Sequence, residues 1–199
     1  MNTNISLRKF IVDGLVGVAV VLIIFVVLGI IESLSLGRPP GAYRSADFSV
    51  AYIINDFLPK SFFVEMYGGK RILGPIPFAI LTTFIGVGIG GPFLETITSR
   101  KDWGRPLLKT SGISFLAGLG LFVIYGILLG TDLLLILLLI LIGGIGLGFG
   151  LVFGILIGGL VGAVFNPHKR LYKIMIGAVS SAMVGLGGTL GLILLAFGP

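Results

Sequence analysis

The chain has no cysteine and a single histidine, His168. Without cysteine there is no disulfide, no thiolate nucleophile and no cysteine-ligated iron–sulfur cluster. One histidine cannot supply a bis-histidine haem site, and His168 has no carboxylates at a recognisable metal-binding spacing. The sequence therefore predicts no metal site and no cofactor.

Charge is also scarce. Only 11% of the 199 residues are charged and 56% are hydrophobic, with a mean hydropathy of +1.14, whereas about a quarter of an ordinary soluble domain is charged. A soluble fold of this composition would have no polar surface, so we expect an integral membrane protein in a lipid bilayer. The net charge of +6 comes from short clusters beside apolar runs, which is typical of membrane topology and not of nucleic-acid binding.

Long charge-free runs predict an all-α bundle of about five transmembrane helices in one membrane domain, residues 1–199. The expected spans are residues 11–31, 72–95, 108–130, 133–165 and 172–197. The fourth run is too long for one simple crossing, because at about 1.5 Å per residue it would extend about 50 Å against a hydrocarbon core of about 30 Å. Either one long helix or a hairpin satisfies this length.

Basic clusters orient the chain, because Lys and Arg near span ends stay on the cytoplasmic side. The clusters precede the first span, separate the second from the third, and separate the fourth from the fifth. They share one face only if there are five spans. We therefore expect a multi-pass cell-membrane protein with a cytoplasmic N-terminus and an external C-terminus. The loop 32–71, which carries five basic residues on the assigned outside, is the contrary signal.

The same loop is not simply polar. Breakers at Gly37–Gly41 precede the run Phe48–Leu58, which follows Asp47 and mixes apolar residues with Asn55 and Asp56. This composition predicts one or two short amphipathic helices at the membrane interface within residues 33–71. The alternative is a loop packed against the helix ends.

Glycine is abundant, with 33 residues lying mostly within the predicted spans. Small residues at a spacing of four form a stripe along a helix and let another backbone approach closely. The pattern predicts helix packing through Gly146, Gly150, Gly154, Gly158, Gly162, Gly86 and Gly90. It also favours one helix through the fourth run. We expect packing within the chain, with a homo-oligomer or a protein partner as the alternative.

Ionisable side chains are absent from the deep parts of the predicted spans. Asp13 is expected to pair with Lys9 or to reach the inner interface, Glu95 lies near the inner end of the second span, and Asp132 can cap the fourth. No nucleophile–base motif or metal-ligand motif is present. Catalysis by this chain is therefore not expected.

Basic residues with one tryptophan make the inner loops suitable for anionic lipid or for a protein partner; the alternative is that their charge serves only to orient the chain in the membrane. The candidate docking residues are Arg100, Lys101, Trp103, Arg105, Lys169 and Arg170. Trp103 is expected in the headgroup layer.

The segment DFLPKSFFVEMYGGKRILGPIPFAIL, residues 56–81, contains a leucine–proline interfacial stretch, a Phe-rich turn and a basic entry into an apolar span. With about the first 130 residues, it resembles the amino-terminal membrane region that some molybdopterin-dependent oxidoreductases carry ahead of a catalytic domain. The resemblance implies a membrane anchor for a redox partner. Because no cysteine can ligate molybdenum here, the family's activity and catalytic residues are not expected.

Three functions are left open. The first, which we favour, is a non-catalytic anchor or scaffold subunit of a larger complex. The second is a small-solute transporter or channel, whose path would have to be lined by Thr82, Thr83, Ser114, Ser180, Ser181 and Thr189. The third is a lipid-modifying enzyme, for which the polar sets are Asp102 with Arg105 inside and Asp47, Asp56 and Glu65 outside.

Overall fold

The computed structural model describes residues 6–35, 63–65, 71–99, 101–128, 132–164 and 169–196. Its elements, in chain order, are α1 (Leu7–Ser35), β1 (Phe63–Glu65), β2 (Arg71–Leu73), α2 (Pro75–Glu95), α3 (Gly104–Leu128), α4 (Leu133–Val164) and α5 (Arg170–Ala196). All five helices are long and apolar enough to cross a membrane. The predicted all-α membrane bundle is confirmed.

The fourth apolar run is one uninterrupted helix, α4, and not a hairpin. Its 32 residues span about 48 Å at about 1.5 Å per residue, which exceeds the hydrocarbon thickness of about 30 Å. At its start the Ile136 amide donates to the carbonyl oxygen of Asp132 at 3.1 Å. Asp132 therefore occupies the N-cap position, and α4 must tilt in the membrane or extend beyond it.

A short hairpin precedes the second span. Strands β1 and β2 pair in antiparallel register, with Phe63 opposite Leu73 and Glu65 opposite Arg71. The second span is predicted to be helical from residue 72, but residues 72 and 73 belong to the extended strand β2. Helix α2 begins at Pro75, a position where the missing amide hydrogen of proline costs nothing. The predicted interfacial helices near Phe48–Leu58 lie outside the described residues.

The other end of α2 also differs from a simple reading of the sequence. Pro92 is expected to bend or end the span, yet the helix continues past it to Glu95. Only three more residues follow in the helix, so Pro92 lies in its last turn.

Helix α5 is the centre of the bundle. In its span 67% of residues are buried, compared with 22% in α4, and it contacts each of the other four helices. Helix α2 is the second interior helix, because it packs against α1, α3 and α5. The outer helices expose large apolar side chains such as Ile23, Leu116 and Phe149, which suits a surface that faces lipid.

Glycine determines how closely α4 approaches α5. A Cβ atom at Gly150 would lie 2.8 Å from the Cα of Val184, and one at Gly154 would overlap the carbonyl oxygen of Ser180. The α5 side contributes Gly187, where a Cβ would overlap the carbonyl oxygen of Gly146. The two backbones are therefore in direct contact, as in other membrane helix pairs built on small residues.

The remaining members of the predicted glycine set contact other parts of the same bundle. A Cβ at Gly158 would lie 3.2 Å from Leu107 and Ser180, and one at Gly162 would lie 2.6 Å from the Trp103 ring. On α2, Gly86 faces Ser114 and Gly90 faces Thr110, both on α3. These glycines pack within the chain.

We predict that Gly154→Ala will lower the free energy of unfolding by about 1–3 kcal/mol, because the new methyl group meets a backbone oxygen that cannot rotate away. Thermal unfolding in detergent or equilibrium unfolding in mixed micelles measures this loss. Gly148→Ala is the matched control on the same helix, since a Cβ there meets nothing within 4 Å. Equal effects of the two substitutions would contradict the packing argument.

Candidate functional site

Charged side chains gather at one end of the bundle, which we call the basic end. There α1 and α5 begin close to the C-terminus of α2, and the loop 96–103 joins α2 to α3. Four side chains form what we call the charged cluster: Lys9, Asp13, Glu95 and Arg170. They come from three different helices, so the cluster ties α1, α2 and α5 together.

Arg170 is at the centre of the charged cluster. Its Nη2 donates to both carboxylate oxygens of Asp13, at 2.7 and 2.9 Å, and its Nε donates to Oε1 of Glu95 at 2.7 Å. The Asp13 side chain is only 2% exposed, whereas that of Arg170 is 44% exposed. Asp13 is therefore a buried carboxylate whose charge is matched by a guanidinium reaching in from the surface.

The sequence suggests Lys9 as the partner of Asp13, one helical turn away. Lys9 instead lies 3.4 Å from both carboxylate oxygens of Glu95. No periodicity could reveal the true partner, because Arg170 is 157 positions from Asp13 in sequence. The two cations and two carboxylates of the cluster balance to zero net charge.

Two further contacts connect α2 to α5 and α1 beside the charged cluster. Lys173 donates to the carbonyl oxygens of Glu95, at 3.2 Å, and Ile97, so a cation satisfies carbonyls that have no partner at the C-terminus of a helix. Gly91 lies against the Asp13 carboxylate, where a Cβ atom would clash with Oδ2. A larger residue at Gly91 would displace Asp13 from its position beside α2.

The chemistry of the charged cluster is that of a structural clamp. Arg170 engages both oxygens of Asp13, and Glu95 accepts from Arg170 and Lys9. In the part of the chain that the structure describes, no three Asp, Glu or His side chains are grouped so as to hold a metal ion. This ion pair makes separation of the helices costly, because the buried Asp13 carboxylate left alone would be an uncompensated charge.

The loop 96–103 is organised by Asp102. Its Oδ2 accepts hydrogen bonds from the Ser99 hydroxyl at 2.8 Å, the Thr98 hydroxyl at 2.9 Å and the Ser99 amide at 3.0 Å. The Ser99 and Thr98 side chains hold the pKa of the Asp102 carboxyl below its usual value. These hydrogen bonds favour the ionised carboxylate. Their contribution to stability is therefore fully present above the ordinary pKa of an aspartate carboxyl and is lost as the pH falls through the lowered pKa of Asp102.

Trp103, which is predicted to lie in the headgroup layer, packs against other side chains of the bundle. It is 2% exposed and packs in a core cluster with Leu94, Ile97 and Leu107, with its ring against Gly162. The sequence favours an interfacial tryptophan because its neighbours are charged, but the loop turns the ring inward. Trp103 is therefore a packing residue that anchors the loop, and it is not available for docking.

The other candidate docking residues divide into two groups. Arg170 belongs to the charged cluster, whereas Lys101, Arg105 and Lys169 are exposed. Lys101 and Arg105 line a groove of 570 Å³ between the end of α2 and the start of α3, which also includes Lys109 and Phe93. Lys169 lies elsewhere, with its Nζ 5.7 Å from the centroid of the Tyr172 ring. Arg100 is outside the described residues.

Hydroxyl groups form a second polar region, between α2, α3 and α5. Ser111 and Ser180 share a hydrogen bond of 2.7 Å between their Oγ atoms, and Thr110 donates to the carbonyl oxygen of Pro106 at 3.0 Å. The residues expected to line a transport path, Thr82, Thr83, Ser114, Ser180, Ser181 and Thr189, are all buried. Among them, Thr82, Ser114 and Thr189 donate to carbonyl oxygens of their own helices.

An apolar groove of 630 Å³ runs between α4 and α5. Its lining includes Phe149, Phe153 and Met183, together with Gly146 and Gly187. Its surface is hydrocarbon in character, and it offers no group for chemistry. Of the proposed outer polar set, Asp47 and Asp56 lie outside the described residues, and Glu65 is described only as part of β1.

Comparison with known proteins identifies no relative: no family model, no curated protein and no solved structure matches the chain.

We predict that Arg170→Gln will lower the free energy of unfolding by about 3 kcal/mol, because it leaves the buried Asp13 carboxylate without its cation. Unfolding in mixed micelles at neutral pH measures the effect. Lys9→Gln is the control, since its pair with Glu95 is exposed and is worth about 0–1 kcal/mol. A loss at Lys9 as large as that at Arg170 would show that burial of Asp13 is not the cause.

Proposed function

We propose that this protein is a non-catalytic membrane anchor or scaffold subunit of a larger complex. The observation that carries the proposal is that the polar contacts between the described helices join those helices to one another. Asp13 and Glu95 hold helices together, Asp102 shapes a loop, and the buried Ser111 and Ser180 hydroxyls bond to each other. Helices that are joined in this way are suited to holding a fixed shape in the bilayer.

The glycine contacts support the same role. Where α4 meets α5 and where α2 meets α3, the backbones and small side chains are in direct contact. Transport by alternating access would require one group of helices to rock against another. Ser114 and Ser180, two of the hydroxyl residues that would line a solute path, lie within these contacts, and the other four are also buried. We therefore favour a scaffold over a transporter.

The resemblance of residues 56–81 to the membrane region of molybdopterin-dependent oxidoreductases suggests a redox enzyme as the partner. We further propose that the chain lies in the cell membrane with its basic end in the cytoplasm. Lys9, Lys101, Arg105, Lys109, Lys169, Arg170 and Lys173 all lie at this end. Positive side chains flanking short loops stay on the cytoplasmic side.

We expect the tagged protein, purified gently from its native host, to carry a second protein at a fixed stoichiometry. Quantitative mass spectrometry of the purified material, with a tagged five-span protein of similar hydropathy as the control, measures this. Elution as a homo-oligomer alone would contradict the subunit role. Solute flux in proteoliposomes would then test the transporter alternative.

The orientation has its own test, because the chain has no native cysteine. We expect Asp132→Cys, at the start of α4, to react with an impermeant maleimide added outside intact cells. Lys169→Cys, at the start of α5, should react only after the membrane is permeabilised. Labelling of both from one side would overturn the five-span topology.

A further inference from the structure

Positively charged side chains gather around the groove between α2 and α3. Its lining includes Lys101, Arg105 and Lys109, against one carboxylate, that of Asp102. Asp102 already accepts three hydrogen bonds from Thr98 and Ser99. Within the described residues, none of the three cations is within 4 Å of a carboxylate oxygen.

This differs sharply from the charged cluster at the same end of the bundle. There Lys9 and Arg170 each have a carboxylate partner, and Lys173 donates to two carbonyl oxygens. Among the described residues, the cations between the helices thus have polar partners, whereas those around the groove have no carboxylate oxygen within 4 Å. Three cations around one concave surface repel one another, and the single Asp102 carboxylate offsets only one of their charges, so a further anion in the groove would be stabilised.

The shape of the groove adds a second feature. Helix α3 begins at Gly104 in the groove wall, and a Cβ atom there would meet nothing within 4 Å. The first amides of a helix have no acceptor within it and point toward an anion placed at its N-terminus. An anion in the groove would therefore meet three cationic side chains and the positive end of α3.

Part of the groove's lining is apolar. Phe93 and Pro106 contribute to its lining, and the Nζ of Lys109 lies 4.8 Å from the centroid of the Phe93 ring. Leu108, which precedes Lys109 on α3, is 52% exposed near the start of this membrane-spanning helix. A ligand with an anionic head and an apolar tail would match both surfaces.

We infer that this groove binds the headgroup phosphate of an anionic phospholipid, with the acyl chains lying along the exposed face of α3. Lys101, Arg105 and Lys109 would hold the phosphate. Each of these cations is expected to raise the affinity for the anionic lipid about three- to tenfold. This inference does not depend on the proposed scaffold role, because it requires only that the bundle spans a bilayer.

The test uses the full-length protein in a neutral detergent, titrated with phosphatidylglycerol or phosphatidylcholine and followed by native mass spectrometry. We expect the wild type to retain phosphatidylglycerol preferentially. The triple variant Lys101→Gln, Arg105→Gln, Lys109→Gln should lose that preference, with affinity for phosphatidylglycerol at least about tenfold lower. Lys169→Gln is the matched control: it removes an exposed cation at the same end, outside the groove, and should retain the preference.

Two controls separate loss of binding from misfolding and from nonspecific charge effects. The triple variant should unfold at the same temperature as the wild type in phosphatidylcholine. If it unfolds at a lower temperature, Lys101→Gln and Lys109→Gln are tested singly, and each is expected to lower the affinity for phosphatidylglycerol about threefold or more. Equal binding by wild type and folded variants, or an equal loss in Lys169→Gln, would overturn the site. Displacement of the lipid by millimolar inorganic phosphate would instead identify a soluble anion as the ligand.

Discussion

Direct contact between the backbones of α4 and α5 is the constraint on which the rest of the bundle depends. Lipid tails are as apolar as leucine, so burial of apolar side chains gives little drive for helices to associate in a membrane. Close approach through Gly150, Gly154 and Gly187 supplies dispersion contacts in its place. With α5 held against α4, its opposite faces remain available to α1, α2 and α3.

The charged cluster at the basic end compensates a buried negative charge. Asp13 is buried, and a carboxylate there is costly unless a cation accompanies it. Arg170 supplies that cation from the first residue of α5, so the same contact that compensates Asp13 also sets where α5 begins relative to α1. Gly91 leaves the necessary space on α2. Packing and electrostatics therefore specify the same arrangement of three helices.

Several expectations could be drawn from the sequence because they depend on local pattern. The five spans follow from charge-free length, and the continuity of α4 follows from its glycine spacing. The hairpin of β1 and β2 has no such pattern, because three-residue strands carry almost no periodic signal and Ile72 and Leu73 fit equally well as the start of an apolar span. The charged neighbours of Trp103 predict an interfacial side chain, whereas its contact with Gly162 involves a residue 59 positions away.

Composition and hydropathy are enough to identify a polytopic membrane protein. A soluble fold with 56% hydrophobic residues in long runs would expose apolar surface to water, whereas helices in a bilayer satisfy their own backbone hydrogen bonds. The glycine spacing also indicates which helix faces carry residues small enough for close packing. The side-chain partners depend on the three-dimensional packing: Asp13 with Arg170, Gly162 with Trp103, and, among the described residues, three cations around one groove. Local patterns state what a residue can contact, but pairings between distant helices arise from the packing of the whole bundle.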